Sequence, residues 1–404
     1  MSGPTELPYK DIPIDLGGRR VIGQENIRGQ LATLLKSGRL SHAYLFAGPP
    51  GVGKKALSLA FAEAVNGIDN LTDLRGKGFS KKSKWTNHPD IRIFIPLPGA
   101  SPDYSELSSR SALLAEDPYE IVDFNTRPSL TSDEASSSKN TFYSVEYFRE
   151  QIRPNAYLKP NEGYRNIIII SEVERMRKEV SNAFLKLLEE PPPSVLFLLT
   201  TENINSLLPT ITSRCQILRC PPLSEDSVKQ GLMQHDDVND ADASFLARIS
   251  SGNYSMTRFY DKERLQQTRN EVLQYLRASY TMDAGEIINF CNQWSKELNI
   301  EGQIGVLNLL EVFVRDLSIY RDTRSSDLIV NSDMEHVISK FCDSLRNARL
   351  DELQAMIDPF RAMIRQNVNA RIIFTVLSNR MAYLMRGNDT PIPTNEEWRH
   401  LPAF

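Results

Sequence analysis

Cysteines are scarce in this sequence, and long hydrophobic runs are missing from it. The four cysteines do not form the two closely spaced pairs that structural zinc sites use; they are Cys215, Cys220, Cys291 and Cys342. No apolar run approaches the roughly 18 residues needed to cross a bilayer, and residues 1–17 lack the apolar core of a signal peptide. We therefore expect a cytoplasmic protein with free thiols, no zinc and no membrane contact.

An excess of charge is also missing. The chain has 47 basic and 51 acidic side chains, with a formal net charge of −4. A protein that coats DNA by itself is usually basic overall, so any contact with DNA must come from a local patch. A length of 404 residues with 41% hydrophobic content is enough for two or three packed domains.

The first half of the chain alternates short apolar runs with helical patterns. Strands are predicted at Ala43–Ala47, Ile91–Ile95, Asn166–Ile170 and Val195–Leu199. Helices are predicted over about Lys54–Val65 and Val180–Glu190. Strands that alternate with helices indicate a parallel sheet covered by helices on both faces, and uniformly apolar strands fit that burial.

Two other regions differ from this pattern. Residues 97–140 are rich in Ser, Pro, Asp and Glu, which indicates a polar surface insertion, part of it disordered. Beyond about residue 223 the pattern is helical. Apolar residues recur at helical spacing at Val306, Leu310, Phe313, Leu317 and Tyr320, and again at Leu353, Met356, Phe360, Met363 and Ile364. We expect a core over residues 1–222, a small helical lid over 223–262 and an all-α domain over 263–404.

A phosphate-binding loop follows the first predicted strand. Gly48, Gly51, Gly53 and Lys54 have the Walker A spacing, and the loop opens a predicted helix. The glycines let backbone N–H groups face a phosphate, the helix N-terminus adds partial positive charge, and the lysine reaches the outer phosphates.

The two ligands that would hold Mg²⁺ are missing. Lys55 stands where a hydrolysing loop has Ser or Thr, and its ammonium would repel the metal. After the third strand, Ser171 stands where a metal-binding Asp would be, while Glu172 remains at the position that activates water. The sequence therefore predicts a degenerate ATP site with no bound metal. Binding of ATP or ADP without hydrolysis stays open, as does filling of the phosphate site by Lys55 itself.

Several segments in this order resemble the gamma/tau and delta-prime family of bacterial DNA polymerase III clamp-loader subunits. They are Val21–Glu25, Gly38–Phe46, Asn87–Asp90, Arg149–Arg153, Ser181–Pro192 and Pro209–Cys215, and together they extend over about residues 20–222. The resemblance implies an AAA+ P-loop core, a helical lid and an all-α collar domain for oligomerisation. Lys55 and Ser171 place the chain on the delta-prime side, and the family's four-cysteine zinc module has no cysteines here.

The resemblance also assigns roles to three further residues. Arg214, in Ser213–Cys215, corresponds to an arginine finger that acts in trans on the ATP of an adjacent subunit. An arginine suits this role because its planar, permanently charged fork can bind γ-phosphate oxygens. Thr201 lies where the family has its sensor-1 residue, and Arg258 lies in a segment that resembles sensor-2.

These features predict a non-hydrolysing, delta-prime-like subunit of the clamp loader within the DNA polymerase III holoenzyme. It requires no cofactor and completes a neighbouring gamma-type site through Arg214. Its expected partners are gamma/tau-type and delta-type subunits, with the sliding clamp and primed DNA reached through the complex. The alternatives are a gamma-type ATP-hydrolysing motor and a switch subunit that binds nucleotide without hydrolysing it.

Overall fold

The computed structural model describes residues 21–66, 88–99, 104–124, 127, 130, 141–257, 262–326, 328–366 and 368–388. The described residues divide into two compact units, one up to residue 257 and one from residue 262. Each unit has its own hydrophobic core and is described by itself.

The first unit is built on a parallel sheet. The strands are β1 (Ala43–Ala47), β2 (Ile91–Phe94), β3 (Leu97–Pro98), β4 (Thr141–Phe142), β5 (Asn166–Ile170), β6 (Val195–Thr201) and β7 (Gln216–Arg219). Five of them form one sheet in the order β2-β5-β6-β1-β7, with every pairing parallel. The short β3 and β4 pair with each other in antiparallel register. Every residue of β1, β5 and β6 is buried, as expected for strands covered on both faces.

Helices flank this sheet and form the lid. They are α1 (Glu25–Ser37), α2 (Lys54–Val65), α3 (Tyr104–Glu116), α4 (Val145–Tyr147), α5 (Arg153–Ala156), α6 (Lys178–Glu189), α7 (Pro209–Thr212), α8 (Glu225–His235), α9 (Asp240–Ile249) and α10 (Tyr254–Thr257). A π-helical turn over Phe148–Ile152 joins α4 to α5. Pro154 has no N–H to continue the regular α-helical bonding, which is consistent with a widened turn just before it. The predicted α/β core and helical lid segment are confirmed.

The described part of the polar insertion is ordered, unlike the surface loop expected there. Residues 104–116 form α3, which buries Arg110 and Leu114. The Arg110 guanidinium lies 3.5 Å from the centre of the Phe124 ring and donates to the carbonyl of Val122 at 2.7 Å. A buried arginine whose charge is satisfied by such partners allows a polar segment to pack against the core. Amino-acid composition alone does not reveal such an anchor.

The second unit is all-α over its described residues. Its helices are α11 (Lys262–Thr281), α12 (Ala284–Glu297), α13 (Ile300–Thr323), α14 (Glu335–Ser344), α15 (Leu350–Arg365) and α16 (Ala370–Met385). All five residues of the first predicted helical stripe are buried. The second stripe buries Leu353, Phe360 and Ile364, whereas Met363 is 39% exposed. Trp294 packs against Tyr275 in the core of this unit.

Candidate functional site

The phosphate loop spans residues 48–53, between β1 and α2. Gly51 and Gly53 have φ angles of 69° and 93°, in the left-handed region that glycine adopts readily. Gly53 is also the N-cap of α2, so the loop places its backbone at the start of a helix. Gly48 donates its N–H to the carbonyl of Thr201 at 3.1 Å, which joins the predicted sensor-1 position to the loop.

The Lys54 side chain turns back onto its own loop. Its ammonium donates to the carbonyl oxygens of Gly48 at 2.7 Å and Pro49 at 2.5 Å. The residue is only 8% exposed, and this burial lowers the pKa of the ammonium. Two of the three N–H groups that a lysine offers are therefore used within the loop.

Lys55 and the residues after β5 form an ion-paired cluster. One carboxylate oxygen of Glu172 lies 3.9 Å from the Lys55 ammonium, and the other accepts from the Arg175 guanidinium at 2.6 Å. Burial raises the pKa of Glu172, and Lys55 and Arg175 oppose that shift. Ser171 is fully buried, and its hydroxyl has no hydrogen-bond partner among the described residues.

Magnesium does not fit this cluster. Mg²⁺ requires near-octahedral oxygen ligands, usually one or two carboxylates together with phosphate oxygens and waters. Ser171 offers a hydroxyl in place of a carboxylate, Lys55 offers a positive charge, and Glu172 already has two cationic partners. The chemistry of these side chains disagrees with metal-assisted phosphoryl transfer in this chain.

Thr201 ends β6 and is fully buried. Its hydroxyl accepts the N–H of Asn203 at 3.2 Å. The nearby Glu174 carboxylate accepts the N–H of Glu202 at 2.9 Å, so the polar groups at this end of the sheet bond to one another. Arg258, the predicted sensor-2 residue, lies outside the described residues.

Arg214 lies two residues after α7 and is part of a different cluster. Its guanidinium donates to the Thr210 carbonyl at 2.9 Å and to the Glu189 carboxylate, at the end of α6, at 2.8 Å. The Arg214 side chain is 34% exposed and that of Glu189 is 48% exposed. None of these partners belongs to the phosphate loop, so the structure groups Arg214 separately from Lys54 and Lys55.

Sequence reasoning missed Tyr119, which contacts the loop from the polar insertion. Its hydroxyl oxygen accepts the N–H of Ile22 at 2.7 Å. A Cβ atom placed on Gly53 would lie 2.7 Å from that same oxygen. The Tyr119 ring also packs edge to face on Tyr254 of the lid, with 5.0 Å between ring centres. The residue stands in a segment without a recognisable motif, so no pattern could have identified it.

The lid contacts the loop at Gly51. A Cβ atom on Gly51 would lie 1.5 Å from the side-chain oxygen of Asn253, so the two groups are in close contact. The Tyr254 N–H donates to the Gly51 carbonyl at 3.1 Å. The described part of the sensor-2-like segment, residues 251–257, thus contacts the phosphate loop through Asn253 and Tyr254.

Clustered metal ligands and membrane-spanning helices are both absent from the described part of the chain. No group of three or more His, Cys, Asp or Glu side chains there could hold a metal ion. The four cysteines are free thiols. None of the helices described is long and apolar enough to cross a membrane.

Two family models match the chain. One, described as DNA polymerase III, delta subunit, matches residues 23–224, which is half of the chain. The other, described as DNA polymerase III, delta subunit, C terminal, matches residues 263–380.

Relatives match over different extents. DNA polymerase III subunit tau/gamma of Haemophilus influenzae is 32% identical over 212 residues, or 52% of this chain and 25% of that protein. DNA polymerase III subunit delta' of Bacillus subtilis is 23% identical over 360 residues, or 86% of this chain and 93% of that protein. The chain thus spans a quarter of the first relative and nearly all of the second.

Solved structures also match. A gamma subunit-related protein of Thermotoga maritima is 16% identical with a TM-score of 0.34, and the match covers 88% of this chain and 100% of that one. The RuvB branch migration motor of the same organism is 17% identical with a TM-score of 0.33, covering 65% and 67%.

Proposed function

Because the chain belongs to the DNA polymerase III delta-subunit family, we propose that it is a delta-prime-type subunit of a bacterial replicative clamp loader. It helps to load the sliding clamp onto primed DNA and does not hydrolyse ATP itself. The family match and the delta' relative that aligns over 86% of this chain support this assignment.

The observation that carries the non-hydrolysing role is the pairing of Lys55 with Glu172. Metal ions neutralise the charge that develops on the β- and γ-phosphate oxygens during phosphoryl transfer. Here a cation stands at one metal-ligand position, and Ser171 replaces the carboxylate at the other. This pairing argues against the alternative of a gamma-type motor.

Arg214 is the residue that this subunit offers to a neighbour. A guanidinium that acts in trans must be reachable from outside its own chain, and that of Arg214 is one-third exposed. The contacts with Glu189 and Thr210 hold it at the end of α7, where it is available to an adjacent subunit. The degenerate site of this chain leaves the arginine more useful to a neighbouring gamma-type site than to its own.

The assembled complex supplies the remaining partners. Gamma/tau-type and delta-type subunits bind this chain, and the helical second unit is the collar domain through which it assembles with them. The sliding clamp and primed DNA are reached through the complex in the cytoplasm. No cofactor or zinc is required.

Reconstitution tests the assignment. The chain is mixed with the gamma/tau-type and delta-type subunits encoded in the same genome, and the products are separated by size. We expect one complex that loads the clamp onto primed DNA, and loss of loading when this chain is omitted. Failure of the chain to co-elute with these subunits, or full loading without it, would contradict the proposal.

A further inference from the structure

We propose that Tyr119 is an internal plug, which fills the nucleotide site of this chain from the polar insertion and keeps ATP and ADP out. The proposal concerns the isolated chain and does not depend on its role in a clamp loader. It differs from the loss of hydrolysis described above, because a site without Mg²⁺ ligands can still bind a nucleotide.

The first support is the contact at the loop glycines. Glycine in a phosphate loop lets the backbone come close to the ligand's phosphates. In this chain the space beside two of the loop glycines is taken by protein side chains. The Tyr119 hydroxyl lies against Gly53, and the Asn253 amide lies against Gly51. The space that these two glycines leave beside the loop is therefore occupied by side chains of the same chain.

The second support is the bonding of the amino-terminal segment beside the loop. The Ile22 N–H is buried and needs an acceptor, which the Tyr119 hydroxyl provides at 2.7 Å. Gln24 in the same segment donates to the Val52 carbonyl of the loop at 3.1 Å. Tyr119 therefore satisfies a backbone donor next to the loop that a bound ligand would otherwise be able to use.

The third support is the rigid construction of the insertion. The Arg110 guanidinium is fully buried and bonds to the carbonyls of Val122 at 2.7 Å and Arg127 at 2.9 Å. These bonds close the turn that carries Tyr119. The Asp117 carboxylate accepts the N–H of Tyr119 at 2.8 Å, which fixes its backbone. A ring held in this way at 2% exposure cannot leave without breaking the turn.

The fourth support is the lid. Tyr119 packs on Tyr254, whose hydroxyl bonds to the carboxylate of Asp236. The Tyr254 N–H also bonds to the Gly51 carbonyl. The insertion, the lid and the phosphate loop therefore contact one another through Tyr119 and Tyr254. Entry of a nucleotide would have to separate all three.

The test measures binding of ADP and ATP to the purified full chain by calorimetry. We expect no saturable binding to wild type or to Tyr119→Phe, which keeps the ring. Tyr119→Ala opens the space and should show saturable binding, at least about tenfold tighter than the weakest affinity that the measurement detects. Adding Lys54→Ala to that variant should abolish the gain, which assigns the new binding to the phosphate loop. Equal binding by wild type and Tyr119→Ala, or no gain in a folded Tyr119→Ala, overturns the proposal.

Amide hydrogen exchange keeps the proposal falsifiable if Tyr119→Ala does not fold. Tyr119→Phe removes the acceptor of the Ile22 N–H, so that amide should exchange faster than in wild type. Millimolar ADP should leave the exchange of residues 48–55 in wild type unchanged. Protection of these amides by ADP, or an unchanged Ile22 rate in Tyr119→Phe, counts against the plug.

Discussion

The Lys55 ammonium lies 3.9 Å from a carboxylate oxygen of Glu172. Lys55 follows the phosphate-loop lysine, and Glu172 stands at the position that would activate water. The remaining Glu172 oxygen is held by Arg175. Both oxygens of this carboxylate are thus held by cations, so the residue that the sequence retains for activating water forms structural ion pairs instead.

The isolated chain should not hydrolyse ATP above background. Both metal-ligand positions are lost, at Lys55 and Ser171, and phosphoryl transfer depends on the metal. A steady-state phosphate-release assay on purified protein measures this, with Lys54→Ala as the control for contaminating enzymes. Turnover that disappears in the control variant would favour a gamma-type motor.

Arg214→Ala should leave assembly intact and lower the DNA- and clamp-stimulated ATPase rate of the reconstituted loader. An arginine finger contributes roughly 10³–10⁵ in rate in the best-studied cases. The loss here should be smaller, because only the adjacent site is affected. Arg214→Lys should restore little of the ATPase rate, since an ammonium cannot form the bidentate contact with phosphate oxygens that a guanidinium forms. Arg219→Ala, at an exposed arginine of β7, is the matched control. Equal rates for all variants would leave Arg214 a structural residue.

Asp90→Asn should destabilise the first unit at pH 7 by about 1.5–3 kcal/mol. The Asp90 carboxylate accepts backbone N–H bonds from Asn161, Glu162 and Gly163 at 2.7, 2.7 and 2.6 Å. Burial raises the pKa of Asp90, but these bonds outweigh it and leave the pKa below its usual value.

The pH dependence of that effect has a definite sign. Because the folded pKa of Asp90 is depressed, its contribution is complete above the unfolded value of about 3.9 and is lost as pH falls through the folded value. Urea unfolding at pH 7 and at about pH 3 should therefore show the gap between wild type and Asp90→Asn shrinking in acid. Asp322→Asn, at an exposed carboxylate, should change stability little at either pH. A gap that is constant with pH would contradict this account.

Arg110→Ala should destabilise the first unit by about 3 kcal/mol. The change removes the guanidinium that bonds to two carbonyls and to Glu106, and leaves a buried acceptor at Val122 without its partner. Thermal or urea unfolding measures the loss. Arg149→Ala, at an exposed arginine, should stay within about 0.5 kcal/mol of wild type. Comparable stability of the two variants would mean that the insertion is not anchored through Arg110.

The parallel sheet was predictable from sequence because its central strands are uniformly apolar. The predicted limits of β1, β5 and α2 are those observed, and β6 continues two residues beyond its predicted end. β7 was not predicted, since an edge strand that buries only Leu218 has no continuous apolar run. Met363 follows the helical spacing yet is exposed, because spacing alone does not define the width of a buried face.

The site was predictable only where a motif carries it. The phosphate loop, Lys55 and Ser171 stand at fixed distances from strand ends, so their roles follow from position. Tyr119 is brought to the loop by an arginine-anchored turn, and only tertiary packing determines that placement. Polar composition indicated a surface loop there, because the exposed Ser and Glu residues of α3 outnumber all the residues that this helix buries.

The contacts of Tyr119 also bear on the order in which the chain folds. Tyr119 bonds to Ile22, which lies 97 residues earlier, and packs on Tyr254 in the lid. Contacts between positions so far apart form slowly, because the entropy of closing a long loop must be overcome before the contact contributes. The three segments should therefore meet late in folding, after the sheet has formed. A single aromatic ring then makes the amino-terminal segment, the insertion and the lid part of one cooperative unit.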